Sequence, residues 1–205
     1  MSEPSPAQAM WDERYRAKGY VYGTEPNSFL REHLDEIPMG DVLCLADGEG
    51  RNSIFLAQST RSVSAVDLSE VGVAKARGLA RERGVEVAFV VGDLRTFELG
   101  IENYDAVISI FAHMPAKIRA NLHARVVAAL RPCGVLLLEA YRPDQIGRGT
   151  GGPTLPEMMM DLEELRRDLA PLELTWAREL ERDVCEGQGH QGVGSVVQVI
   201  GRKPG

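Results

Sequence analysis

The chain is predicted to fold as an α/β protein: a largely parallel sheet with helices on both faces, closed by an antiparallel hairpin. Three observations carry this. Short apolar runs alternate with helix-period segments from "DVLCLA" to "GVLLLEAY", and such alternation gives right-handed crossovers and a buried parallel sheet. The first run passes through Gly48-Glu49-Gly50 straight into a helical pattern. Beyond a last helix, two long strand-like runs are joined by a short glycine-bearing link, the signature of a hairpin.

Each element has its own signal. Residues 1–40 read as a helical cap, with a polar start, a helix over Trp11–Lys18, a turn-rich "YVYGTEPN", and a helix capped by Asn27 or Ser28 and running through Asp35. Residues 41–205 read as one compact unit. "DVLCLA" is the first strand, and Asn52–Gln58 the helix after the glycine turn. "SVSAVD" is the second strand, and Ser69 caps a helix over Glu70–Arg83. "VEVAFVVGD" and "YDAVISIF" are the third and fourth strands. Ala116–Leu130 places Ile118, Leu122, Val126 and Leu130 at four-residue steps, and Pro132 and Gly134 stop it. "GVLLLEAY" is the fifth strand. A loop rich in Gly and Pro follows, then a helix over Glu157–Leu169. "LELTWARELERDV" and "GVGSVVQVIGRK" form the hairpin around "CEGQGHQ".

Bulk properties exclude several classes. With 205 residues, 44% of them hydrophobic, the chain can bury one substantial core. The net charge is −7, and basic residues are mixed with acids, as in "KARGLARERG". A nucleic-acid partner is not expected, because phosphate contacts need clustered Lys and Arg. The three cysteines are far apart and form no C-x-x-C, so neither a zinc site nor a disulfide framework is expected. The polar start lacks a signal-peptide core, and no apolar run approaches the ~20 residues that span a bilayer. The expectation is a soluble cytoplasmic protein, monomeric or homodimeric, with no membrane partner.

Ligands of open α/β sheets bind beyond the carboxyl ends of the strands, so the residues after each strand are the candidates. Gly48 and Gly50 permit a sharp turn and close approach of a ligand, and the next helix presents free N–H groups. The third glycine of a dinucleotide fingerprint would fall at position 53, which is Ser53. Asp67 ends the second strand, where a carboxylate can accept both ribose hydroxyls of an adenosine; a plain helix-capping aspartate is the alternative. Asp93 ends the third strand, suited to the exocyclic amine of adenine or to an ordinary turn.

The motifs "WDERY", "EPN", "GEGRN", "AVDLS", "GDL", "ISIFAHMP", "LRPCGVLLLEAY" and "GTGGP" resemble those of the class I S-adenosylmethionine-dependent methyltransferases. The nearest resemblance is to the small-molecule branch with tellurite-resistance-type and thiopurine-type enzymes. The resemblance implies a Rossmann-like three-layer sandwich with a seven-stranded, mostly parallel sheet whose last strand is antiparallel. It implies S-adenosyl-L-methionine as cofactor. Asp47, Gly48, Glu49 and Gly50 would then hold the methionine part and Asp67 the ribose. Asp93 and Leu94 would flank the adenine, and Phe111 would lie near the methyl group. Asn52, Leu68 and Gly92 complete the expected cofactor contacts. The family usually has an acidic residue at Cys44, a glycine at Ala46 and often a cysteine at Asp47. A thiol at Cys44 is a poor acceptor for the cofactor's ammonium, so Asp47 is expected to take that role.

The expected acceptor is a small molecule: a thiol, a selenium or tellurium oxyanion-derived species, or another heteroatom nucleophile. A soft anion needs no base, whereas an oxygen or nitrogen acceptor calls for one. His113 is the expected catalytic base, since its pKa lies near working pH. Tyr22, Tyr141, Arg142 and His190 are expected to line the acceptor pocket. His33 and His123 are read as structural, Met158–Met160 as helix packing, and the loop Gly147–Pro153 as a lid. Two other readings stand beside this one: a nicotinamide-dependent oxidoreductase, disfavoured by Ser53 and the terminal hairpin, and a non-catalytic S-adenosylmethionine-binding protein.

Overall fold

The computed structural model describes residues 3–59 and 61–205. Met1 and Ser2, the start of the expected cap, lie outside the described residues. Seven strands form one sheet in the order β3-β2-β1-β4-β5-β7-β6. They are β1 (Asp41–Leu45), β2 (Ser62–Asp67), β3 (Ala88–Val91), β4 (Tyr104–Ile110), β5 (Leu130–Tyr141), β6 (Glu173–Glu186) and β7 (His190–Arg202). The first five run parallel to their neighbours. β7 lies antiparallel between β5 and β6. This is the predicted sheet, with its one reversed strand.

Side chains alternate across each strand, which fixes what every residue of β1 can reach. Leu43 and Leu45 enter the core cluster with Leu122, Val126 and Leu165. Val42 and Cys44 enter the opposite cluster with Phe29, Leu30 and Ile37. Burial pushes the Cys44 thiol well above its ordinary pKa. Cys44 is therefore a core side chain, placed by strand parity on the face packed against Phe29, Leu30 and Ile37.

The helices are α1 (Pro6–Tyr15), α2 (Ser28–Glu32), α3 (Arg51–Ala57), α4 (Glu70–Arg83), α5 (Ala116–Ala129) and α6 (Leu162–Asp168). Several bounds correct the sequence reading. α1 starts at Pro6, not Trp11, because the Ser5 hydroxyl accepts the Gln8 N–H and Pro6 suits the first turn. Asn27 caps α2, which stops at Glu32 and gives way to a 3₁₀ turn at Leu34–Glu36. β3 is four residues long, not nine. α5 ends at Ala129, and β5 begins at once at Leu130, taking in Pro132 and Gly134. α6 begins at Leu162, not Glu157, because the Asp161 side chain caps it by accepting from Glu164 N–H. The segment Pro156–Met158 forms its own 3₁₀ turn. The hairpin link is only Gly187-Gln188-Gly189, with Glu186 paired to His190.

The N-terminal segment docks on the sheet at two places. α1 lies against α4. The N–H groups of Gln188 and Gly189 both donate to the Val21 carbonyl, at 2.8 and 3.0 Å. Among the described residues, no helix is long and apolar enough to cross a membrane.

Candidate active site

Strand order reverses between β1 and β4, so their carboxyl ends open the crevice where such sheets bind ligands. The chain leaving β1 is left-handed at Ala46 (φ 48°), Gly48 (φ 59°) and Gly50 (φ 92°). The Ala46 backbone is of the kind glycine adopts most readily. Packing also demands the two glycines. A Cβ on Gly48 would sit 2.5 Å from the Tyr15 hydroxyl oxygen, and one on Gly50 2.7 Å from the Ala76 Cβ. Tyr15, at the end of α1 and buried, thus forms a roof over the glycine turn.

Asp67 fastens this turn to the neighbouring strand. Its Oδ2 accepts from Gly48 N–H at 2.8 Å, and its Oδ1 from Ser69 N–H at 2.8 Å. Gly92 N–H donates to the Asp67 carbonyl at 2.9 Å, which brings the end of β3 alongside. Asp12, on α1, accepts from the Ser69 hydroxyl at 2.5 Å and from Val71 N–H at 3.2 Å. Asp47 is turned onto the first turn of α3. It accepts the Ser53 hydroxyl at 2.5 Å and the Ser53 N–H at 3.3 Å.

The crevice is acidic and dry. Burial raises the Asp47 carboxyl to about 7, against the lowering effect of its Ser53 hydrogen bonds. Burial likewise raises Asp67 to about 6, with Asp12 and Glu49 adding to the rise and its two backbone donors opposing it. Burial first, then the Asp67 charge, pushes the Tyr15 phenol well above its ordinary value. Glu49 is neutralised by Lys75 at 2.8 Å and accepts Val21 N–H at 2.7 Å. Among the described residues, neither Asp47 nor Asp67 has an ion-pair partner.

Several expected cofactor contacts are already committed within the chain. The Glu49 carboxylate anchors the N-terminal loop, and Asn52 Oδ1 accepts Asn27 N–H at 2.9 Å. Asp93 is held by Arg95 through Nε at 2.8 Å and N–H at 2.9 Å, and the Arg95 hydrogen bond keeps its pKa below the ordinary value. Its carboxylate is thus paired with Arg95 at the end of β3. Leu94 is buried, with its carbonyl taken by Arg125. Leu68 is half-buried between the Asp67 and Ser69 positions.

Phe111, also left-handed (φ 53°), follows β4 and leads into a cluster of rings. It stacks on Tyr141 at 4.6 Å and meets His190 edge-on at 4.7 Å. Tyr22 lies 4.6 Å from His190, and its hydroxyl accepts from Arg14 at 3.0 Å. The structure thus brings the rings of Tyr22, Phe111, Tyr141 and His190 together.

His113 does not fit the base role. Its Nε2 accepts Tyr141 N–H at 3.2 Å, so its Nδ1 carries the proton and donates to the Met158 carbonyl at 3.0 Å. Both nitrogens are spent on main chain, and burial lowers its pKa to about 4. His113 is a neutral joint that fixes the end of β5. Arg142 is also drawn away from the rings: it pairs with Glu179 at 3.1 Å and Asp144 at 3.3 Å. His33 packs edge-on against Phe29 and Trp176, and His123 pairs with Asp168 at 3.2 Å, both structural as expected.

A buried charged network beneath the rings escaped the sequence reading. Glu139, fully buried in β5, accepts from Arg182 at 2.7 and 2.6 Å, from Gln198 at 2.7 Å and from Asn27 at 2.6 Å. Glu186 accepts from Arg51 at 2.5 Å, Asn27 at 2.8 Å and Arg182 at 3.0 Å. These residues are scattered from position 27 to 198, so no local motif marks them. Among the described residues, Tyr141 Oη, His190 Nδ1 and Arg51 Nη1 are buried without a hydrogen-bond partner.

The sheet order, the glycine turn at the reversal and the acid ending β2 define the class. The fold is that of the class I S-adenosylmethionine-dependent methyltransferases, and residues 42–134 match the methyltransferase domain family. Among individual relatives, the 2-heptyl-1-hydroxyquinolin-4(1H)-one methyltransferase of Mycobacteroides abscessus is 29% identical over 96 residues. That match covers 45% of this chain and 42% of the relative, so the chain spans less than half of it. The crystal structure of TehB from Haemophilus influenzae has a TM-score of 0.72 at 16% identity, over 96% of this chain and 66% of that one. The Burkholderia thailandensis 1,6-didemethyltoxoflavin-N1-methyltransferase, with bound acceptor and S-adenosylhomocysteine, has a TM-score of 0.61 at 21% identity, over 86% and 75%.

Proposed function

We propose that this protein transfers a methyl group from S-adenosylmethionine to a small molecule with a heteroatom nucleophile, the class that includes thiols and selenium or tellurium species. One observation carries the cofactor assignment: Asp47 and Asp67 are buried at the glycine turn without an ion-pair partner among the described residues. Buried carboxylates favour a cation and repel a pyrophosphate. S-adenosylmethionine carries a sulfonium and an ammonium and no phosphate, so the residues fit it better than a dinucleotide.

The bound cofactor would supply a methyl group already activated by its sulfonium. The chain supplies the rest. Gly48 and Gly50 hold the backbone close to the methionine part, and Asp47 offers its charge to the ammonium. Asp67 keeps lone pairs for ribose hydroxyls, because each oxygen accepts only one backbone donor. Phe111, Tyr22 and Tyr141 form an apolar wall that excludes water and orients the acceptor; such orientation is worth up to ~7–11 kcal/mol. The small-molecule acceptors named for the Mycobacteroides and Burkholderia relatives support an acceptor of that size here.

Titration calorimetry with S-adenosylmethionine, S-adenosylhomocysteine and NAD tests this. Both sulfur cofactors are expected to bind and NAD is not. Binding of NAD alone would overturn the assignment.

A further inference from the structure

Among the described residues, the ring cluster contains an imidazole that nothing in the fold uses up. His113 has both nitrogens bonded to main chain, and the Tyr22 hydroxyl is engaged by Arg14. His190 is different. Its Nδ1 is buried and unpartnered, and lies 3.8 Å from Glu186 Oε2. Its ring is bounded by Tyr22, Phe111 and Tyr141 at 4.6, 4.7 and 5.2 Å. Glu186 is itself clamped by Arg51, Arg182 and Asn27, so the carboxylate cannot swing away from the imidazole.

We propose that His190 is the general base of the transfer, oriented by Glu186, and that the acceptor is a phenol-like or heteroaromatic compound whose O–H or N–H must lose its proton. This rests on the methyltransferase reading above. With Glu186 on the Nδ1 side, the proton of neutral imidazole sits on Nδ1 and the lone pair on Nε2. Catalytic hydrogen bonds commonly shorten from such a distance, here 3.8 Å, in the Michaelis complex. The acceptor proton passes to Nε2. The freed electron pair on the acceptor atom bonds to the methyl carbon, and the carbon–sulfur bond breaks with its pair left on sulfur. Glu186 stabilises the imidazolium until it releases the proton to solvent. The charged and titratable groups facing His190 are Glu186 and Arg182 of β6, Glu139 and Tyr141 of β5, Arg51 of α3, His113 after β4 and Tyr22 of the N-terminal loop.

Two probes separate this role from a packing role. 4-Methoxyphenol is un-ionised at neutral pH, whereas 4-nitrothiophenol is already a thiolate. His190→Gln is expected to slow methylation of the phenol by about 10²–10⁴-fold, the usual share of general base catalysis. The thiolate reaction should fall far less, so that the ratio of phenol to thiolate rates drops, with calorimetric S-adenosylmethionine affinity measured alongside. In wild type with S-adenosylhomocysteine, adding the phenol is expected to shift the His190 ring resonance in the NMR spectrum. Glu186→Gln should retain cofactor binding and lower the imidazole pKa seen there. Equal loss on both probes, undiminished phenol methylation in His190→Gln, or an unmoved resonance would overturn the proposal. So would a wild type that binds S-adenosylmethionine but leaves the phenol unmethylated. Failure to bind S-adenosylmethionine at all would instead overturn the underlying methyltransferase reading.

Discussion

The Oδ2 of Asp67 lies 2.8 Å from the amide nitrogen of Gly48 and accepts its hydrogen. One carboxylate thus fastens the end of β2 to the glycine turn while also accepting Ser69 N–H at the start of α4. Removing it strands two buried donors, at about 1–3 kcal/mol each. Asp67→Ala is therefore expected to lower the thermal midpoint and to weaken S-adenosylmethionine binding by ~1.5–3 kcal/mol, the range for hydrogen bonds to charged groups. Scanning calorimetry and ligand titration read both effects. Unchanged affinity in the folded variant would remove Asp67 from the ribose role.

Asp47 and Asp67 also set a pH dependence. Their folded-state values of about 7 and about 6 lie above the ordinary 3.8. Between these limits the folded state binds more protons than the unfolded one, so this contribution to stability falls as pH rises from about 4 to about 7. Below that window the cost is absent; above it the cost is complete. A cationic ligand relieves it. Asp47→Asn is expected to stabilise the unliganded protein more at pH 8 than at pH 5, and to reduce the rise of cofactor affinity with pH. Thermal midpoints and binding isotherms across that range check both; parallel profiles for variant and wild type would contradict them.

The buried network predicts the opposite slope. Burial pushes the Glu186 carboxyl up, but the neighbouring His190 imidazole and the hydrogen bonds and charge of Arg51 and Arg182 outweigh it and hold it well below the ordinary range. A depressed acid stabilises above its unfolded value and loses that stability as pH falls. Glu139→Ala removes one of the two carboxylate partners of Arg182, leaving Glu186 at 3.0 Å, and strands the buried Gln198 amide donor; it is expected to cost ~1–3 kcal/mol, with Glu139→Gln milder because an amide oxygen still accepts. Because Asn27 bonds both glutamates, Glu139→Ala should also speed hydrogen exchange around Asn27. Denaturant unfolding and exchange measured together test the link between network and N-terminal cap.

What the sequence disclosed follows from range. The alternation of runs displayed the sheet and its reversed last strand, because local periodicity is set by each strand's own burial. Gly48, Gly50 and Asp67 were legible because position after a strand is itself the signal. The base was not. His113 stands in the expected place after β4, yet main-chain groups at Tyr141 and Met158, 28 and 45 residues away, take both its nitrogens. Asp93 has a partner two residues on, Arg95, a local contact that the residue pattern "GDLR" does not by itself announce. The Asn27–Glu139–Arg182–Glu186 network is built from the cap of α2, β5 and β6, and charged residues in strands read from sequence as solvent-facing. Ser53, which replaces a dinucleotide glycine, carries a positive meaning only once its hydroxyl is seen on Asp47.

The segment Gly147–Pro153 covers the ring cluster, and its attachments predict how it moves. A Cβ on Gly151 would sit 2.5 Å from His190 Cδ2, and one on Gly152 2.7 Å from Tyr141 Cδ2, so the loop backbone lies directly on the rings an acceptor must reach. Gln145 pins it, donating to Thr150 Oγ1 and the Gly151 carbonyl at 2.9 Å each, while accepting Ser195 N–H at 2.9 Å. Entry of an acceptor therefore requires the loop to lift. Gln145→Ala removes bonds worth about 0.5–1.5 kcal/mol each, and local opening rises accordingly. Trypsin cleavage after Arg148 is expected to quicken by roughly 10-fold in the variant, and to slow in wild type when S-adenosylmethionine and acceptor are bound together. Gly151→Ala should admit the acceptor yet impair turnover, since its methyl group would hold the loop off His190. Equal cleavage in all three states would show that the loop stays closed over the site and that the acceptor enters by another route.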